Sequence, residues 1–226
     1  MKSANTYTNL IEQIFTQQEP VWAALKPHYD KLNDILRSNG ELVEGNIYAY
    51  HGDTQFIPEA NFLKKRHTYA LFAAANNNIV EIGFNAGHSA LLALITNPTL
   101  HYTAVDIGEH TYTQPCFDYL RSIFGERVNI LVGDSRQIMP VFYDHKPHLK
   151  GEVDGWIIDG GHGLDVALQD VENVVNLSRP GDNLLFDDTD WGGLVWLLKF
   201  YELQGVLTPT TTLPASHGHL FYKINK

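Results

Sequence analysis

The pattern of hydrophobic and polar positions changes its period near residue 79. Before it, apolar residues fall at helical spacing: Leu10, Ile11 and Ile14, then Trp22, Leu25, Tyr29, Leu32, Ile35 and Leu36. Gly40 closes this stretch, and a loop with Gly45, Gly52 and Pro58 follows. Residues 59–75 read as a further helix that ends in Asn76-Asn77-Asn78. Beyond it, short apolar runs at 79–82, 102–105, 128–132, 155–158, 183–186, 206–211 and 219–224 alternate with amphipathic stretches. This alternation predicts an α/β fold, a doubly wound seven-stranded sheet wrapped by helices. The last two runs are too close for a crossover helix, so the sheet is expected to be mostly parallel with a C-terminal antiparallel hairpin.

Composition narrows the function classes. A chain of 226 residues with 44% hydrophobic residues can bury one good core. A formal charge of −10 with only 16 Lys and Arg argues against a nucleic-acid partner. The run Lys64-Lys65-Arg66 is the sole basic cluster and lies in a predicted helix, where a solvated face is expected. The polar start of the chain lacks the apolar core of a signal peptide and no window is long enough to span a bilayer, so a cytoplasmic protein without a membrane partner is expected. The lone Cys116 precludes an internal disulfide or a cysteine-based zinc site and reads as a packed thiol.

The first strand runs into Glu81-Ile82-Gly83-Phe84-Asn85-Ala86-Gly87-His88-Ser89, followed at once by an apolar helix. Glycines at such a turn let backbone approach a ligand, and the free N–H groups of the helix start favour an anionic group. Asn85 and His88 occupy positions where a dinucleotide fingerprint requires glycine, which removes the main support for NAD. The second strand ends at Asp106, an acid placed to accept hydrogen bonds from ribose hydroxyls, and the third ends in Gly133-Asp134-Ser135.

Together, Glu81-x-Gly83-x-x-x-Gly87-x-Ser89, Asp106 and Gly133-Asp134-Ser135 resemble the successive motifs of class I, Rossmann-like S-adenosylmethionine-dependent methyltransferases. The resemblance covers roughly residues 60–226. It implies a methyltransferase domain at 59–226, preceded at 1–58 by a helical extension and substrate-side loop. It further implies that Gly83, Asn85, Gly87, His88 and Ser89 surround the methionine portion of the cofactor, with Glu81 near its amino group. Asp106 would hold the ribose, and Asp134 and Ser135 would flank the adenine.

The fourth strand ends in Asp159-Gly160-Gly161-His162 and the fifth in Asp187-Asp188-Thr189. Ligands in open α/β sheets bind at the carboxyl ends of strands, so these acids should converge beside the cofactor crevice. Close carboxylates repel, and a hard divalent cation such as Mg²⁺ or Mn²⁺ would neutralise them. The segments 158–162 and 186–189, with Asp170 and Pro180-Gly181, resemble metal-dependent O-methyltransferases acting on small molecules such as catechols and natural-product sugars. That resemblance implies metal ligation by Asp159, Asp187 and Asp188, with Asp159 also bordering the cofactor. His162 is the expected general base for a hydroxyl substrate, with Asp188 in reserve. Helix capping by the same acids is the competing structural reading.

Tyr48, Tyr50, His51, Phe56, His110, Tyr112 and Trp191 are candidates to roof a small hydroxylated substrate or simply to pack. A metal-independent N- or C-methyltransferase and a non-catalytic cofactor-binding protein are the alternative functions, and a homodimer is compatible with the sequence.

Overall fold

The computed structural model describes residues 18–54, 60–190, 193–210 and 218–226. The expected helix around Leu10 to Ile14, the 58/59 boundary, Phe56, Trp191 and most of the hairpin loop lie outside these residues.

Helices α1 (Gln18–Asn39) and α2 (Ala60–Ala75) precede the sheet. The core then runs β1 (Asn78–Ile82), α3 (His88–Thr96), β2 (His101–Asp106), α4 (Thr113–Phe124) and β3 (Val128–Val132). After the short α5 (Ser135–Ile138) and α6 (Phe142–His145) come β4 (Gly155–Ile158), α7 (Leu164–Leu177), β5 (Asn183–Phe186), α8 (Leu194–Leu203), β6 (Leu207–Pro209) and β7 (Leu220–Ile224). The strand order is β3-β2-β1-β4-β5-β7-β6. β1 through β5 are parallel, and β7 runs antiparallel between β5 and β6. This is the expected doubly wound sheet with its antiparallel hairpin. β6 is shorter than the apolar run suggests: Pro209 lacks an N–H, which confines it to a sheet edge such as β6.

Strand alternation divides the core into two layers. Ile79, Tyr102, Ala104, Ile157, Leu185 and Phe221 face α1 to α4, while Val80, Ile82, Val105, Trp156, Ile158, Leu184 and Phe186 face the opposite side, covered by α7 and α8. α1 buries Leu25, Leu32 and Leu36 and packs on α3. The chain reverses direction across the sheet between β1 and β4, which opens a crevice at the carboxyl ends of those strands.

The basic run differs from its expected solvated face. α2 has buried residues from Arg66 through Ala73 and therefore no wide polar face. Arg66 donates to the carbonyl of Ile47 at 3.0 Å and lies 5.2 Å over the Tyr48 ring, holding the loop after α1 against α2. Lys65 points into the crevice.

Candidate active site

A cavity of about 910 Å³ occupies the crevice, bounded by the turn after β1, the ends of β2, β4 and β5, and the loop at 44–51. Gly83 (φ 98°) and Gly87 (φ 75°) take up left-handed conformations, and so does Asn85 (φ 51°). Asn85 thus adopts the backbone a glycine would take, a state asparagine tolerates better than most residues. A Cβ on Gly83 would lie 2.0 Å from the Asp159 carbonyl oxygen, so only glycine lets β1 and β4 end side by side.

Asp106 fastens the turn. One carboxylate oxygen accepts from the Phe84 and Asn85 N–H groups at 2.7 and 2.8 Å, and the other accepts from Gly108 N–H at 2.8 Å. Asp134 caps α5, accepting from Arg136 N–H at 2.9 Å and pairing with its guanidinium at 2.7 Å. Ser135 donates to Asp170 at 2.7 Å, and Asp170 is wholly buried, its carboxyl pushed up to about 6 by desolvation. Asp106, Asp134 and Ser135 all line the cavity.

Glu81 does not. Its carboxylate, fully buried on the other face of β1, accepts from Tyr69 and Ser89 hydroxyls at 2.9 Å each, and Tyr69 in turn bonds Tyr102. Burial pushes Glu81 up to about 7 against the lowering effect of these hydroxyls. In this arrangement it supports the turn from behind and does not itself line the cavity in which a cofactor amino group was expected near it. His88 and Ser89 border the cavity from the start of α3. His88 lies in a buried aromatic cluster with Tyr29 and Tyr48, and desolvation lowers it to about 4.

The acids at the ends of β4 and β5 do converge. Register places Asp159 beside Gly83 and Asp187 beside Asp159, through Asp159 N–H to Ile82 O and Asp187 N–H to Ile158 O, both at 2.9 Å. Carboxylate oxygens of Asp159, Asp187 and Asp188 lie within 4.8 Å of one another. Asp188 adopts φ 53°, a left-handed state, which turns it into the crevice while its N–H bonds Asp187 Oδ1 at 2.7 Å. His162 Nε2 stands 2.7 Å from Asp188 Oδ2, and this bond raises the imidazole above its ordinary value. None of the three acids caps a helix among the described residues.

Two features of the site were not anticipated from the sequence. Lys65 Nζ lies 2.7 Å from Asp187 Oδ2 and 3.6 Å from Asp188 Oδ1. His219 Nε2 lies 3.3 Å from Asp187 Oδ1, and its Nδ1 is 2.8 Å from Thr68 Oγ1. Burial alone would raise Asp187, but the His219 and Lys65 charges hold it well below the usual carboxylate range. Asp159, desolvated and facing the Asp187 charge, is driven well above that range. The one signal in the sequence was a His opening the last strand; the basic run at 64–66 gave none for Lys65.

Of the proposed substrate roof, Tyr50, His51 and His110 line the cavity. Tyr50 meets Phe62 edge to face at 4.7 Å. Tyr48 and Tyr112 are buried packing residues beneath it. Cys116 is buried and its thiol is raised to about 12 by desolvation, as suits a packed cysteine.

Residues 80–189 match a family model described as a methyltransferase domain. No curated protein matches the sequence. In fold, the chain is similar to a protein from Staphylococcus aureus provisionally assigned as a caffeoyl-CoA O-methyltransferase, at TM-score 0.59 and 15% identity, over 98% of this chain and 99% of that one. An O-methyltransferase from Bacillus cereus in complex with SAH gives 0.53 and 18%, over 87% and 91%. MycE, a methyltransferase of the mycinamycin pathway in complex with Mg and SAH, gives 0.53 and 17%, over 76% of this chain and 51% of that one. The family match runs from β1 to just past β5, so that part of the chain is similar to a methyltransferase domain, and it lies inside the expected seven-stranded Rossmann-like sheet with its antiparallel hairpin.

Proposed function

We propose that the enzyme methylates a hydroxyl group of a small molecule, and that Asp159, Asp187 and Asp188 hold a hard divalent cation, Mg²⁺ or Mn²⁺, beside that hydroxyl. The observation that carries this reading is the convergence of three carboxylates within 4.8 Å, with His162 paired to one of them, at the mouth of the crevice. An all-oxygen donor set of this kind fits a hard cation. Such an ion, when bound, supplies Lewis-acid polarisation that lowers the pKa of a coordinated hydroxyl.

The protein's own groups account for the rest. Along the crevice, the turn at 83–89 and Asp106, Asp134 and Ser135 would hold S-adenosylmethionine, which would supply the reactive methyl group. His162 Nε2–H donates to Asp188, which leaves Nδ1 as the ring atom that takes the hydroxyl proton. Tyr50, Phe62 and His110 offer an aromatic wall to a small aromatic or sugar-like substrate and help to exclude water.

Turnover of a panel of phenolic and sugar hydroxyls with and without chelator tests this reading. Chelator is expected to abolish turnover and leave cofactor binding largely intact. Transfer to nitrogen or carbon without metal is the second reading, favoured by the Lys65 ammonium that already sits among the acids. Chelator-resistant turnover of nitrogen or carbon nucleophiles, with none on the hydroxyl panel, would establish it in place of the first.

A further inference from the structure

The Lys65 ammonium and a divalent cation would compete for the same oxygens. Nζ lies against Asp187 Oδ2 and near Asp188 Oδ1, two of the three residues that form the cluster. The lysine side chain is only 17% exposed and that of Asp187 only 3%, so the pair is a buried ionic contact that fixes where the charge sits. Other partners of these acids lie elsewhere: Asp187 Oδ1 faces His219 and the Asp188 N–H, and Asp188 Oδ2 faces His162. Withdrawing Nζ would therefore leave the acids held by the histidines and the backbone. The cavity that Lys65 borders gives its flexible four-carbon stem room to swing away.

Resting on the metal reading above, we propose that Lys65 is a tethered counter-cation that fills the acid cluster until a divalent ion displaces its ammonium. A positive charge left in place would repel the incoming ion at contact distance, so the two occupancies exclude each other. The lysine keeps three acids from facing one another uncompensated, and it sets the apparent affinity for the metal. The active centre thus has two states, closed by Lys65 or loaded and open, and the metal must bind the second by enough to overcome the first.

Mn²⁺ binding to the whole chain, followed by the paramagnetic resonance of the free ion, tests this in the wild type and in Lys65→Met. If Lys65 occupies the cluster nine-tenths or more of the time, the variant should bind Mn²⁺ about ten- to a hundredfold more tightly. Without metal, the variant should also melt at a lower temperature than the wild type and gain more on adding Mn²⁺. Binding in the wild type with equal or weaker binding in the variant would overturn the role of Lys65 and leave the metal reading standing. Binding in the variant alone would overturn the proposal and the metal reading together, because the native ammonium would then never give way to the ion. Absence of binding in both would overturn both. Should Lys65→Met fail to fold, acylation of the wild type mapped by mass spectrometry decides: labelling at Lys65 should rise at saturating Mn²⁺, and unchanged or reduced labelling overturns the proposal.

Discussion

The carboxylate of Asp106 accepts the backbone N–H of Asn85 at 2.8 Å, so the end of β2 holds the left-handed residue at the centre of the turn after β1. The acid expected to meet the ribose is therefore also the clasp of the turn that would meet the methionine. Asp106→Ala should weaken S-adenosylmethionine binding by roughly 1.5–3 kcal/mol, about ten- to 150-fold, and lower the melting temperature as well. Calorimetry and thermal unfolding measure the two effects, and unchanged affinity would remove Asp106 from the cofactor site.

Gly83→Ala should harm both halves of the site at once. Its Cβ would collide with the Asp159 carbonyl at 2.0 Å, and the backbone there is left-handed. A loss of about 2–4 kcal/mol in stability is expected, together with loss of cofactor binding. A chemical denaturation curve unchanged from wild type would show that the β1 and β4 ends can separate freely.

Glu81 should make stability fall as pH rises through the weakly acidic range. Its folded-state value of about 7 lies above the ordinary value near 4.5, so between these pH values the folded chain keeps a proton that the unfolded chain has released. Stabilisation from this group is complete below about 4.5 and is lost on approach to 7, with a slope of at most about 1.4 kcal/mol per pH unit. Glu81→Gln keeps an acceptor for Tyr69 and Ser89 but cannot ionise, and its stability should vary less with pH across the same range. Identical pH profiles for the two proteins would show that Glu81 ionises normally in the fold.

His162→Ala should lower kcat by about 10²- to 10⁴-fold, the usual contribution of a positioned base, with cofactor affinity little changed. His162→Gln can still donate to Asp188 but cannot accept a proton at neutral pH. It should restore any lost metal affinity without restoring the rate. Recovery of kcat in the glutamine variant would reassign proton removal to another group, with Asp188 the first candidate.

The fold and the order of the cofactor motifs were legible because both follow from local regularities. A strand followed by glycines and an apolar helix has few alternatives, and acids at successive strand ends inherit their positions from sheet order. Register could also be inferred for Asp159 and Asp187, whose strands are consecutive and parallel. Lys65 escaped because three adjacent basic residues normally share a solvated face, whereas α2 is covered on nearly all sides and directs two of them inward. That Glu81 stands behind the turn and outside the cavity was hidden for a related reason: strand alternation decides which face of β1 receives it, and the motif alone does not report that face. The pairing of His219 with Asp187 depends on β7 entering the sheet beside β5, a long-range choice that spacing does not specify.

That choice also has a temporal side. The turn at 83–89, Asp106 and Asp134 come from consecutive strands and can assemble while later strands are still missing. The charge balance of the acid cluster cannot, because His219 reaches Asp187 only after β7 has inserted between β5 and β6, and its other nitrogen contacts Thr68, 151 positions earlier. Such distant contacts carry a loop-closure cost and form late. A growing or refolding chain would therefore assemble the turn at 83–89 and its Asp106 clasp before His219 arrives to balance the buried charge of Asp187.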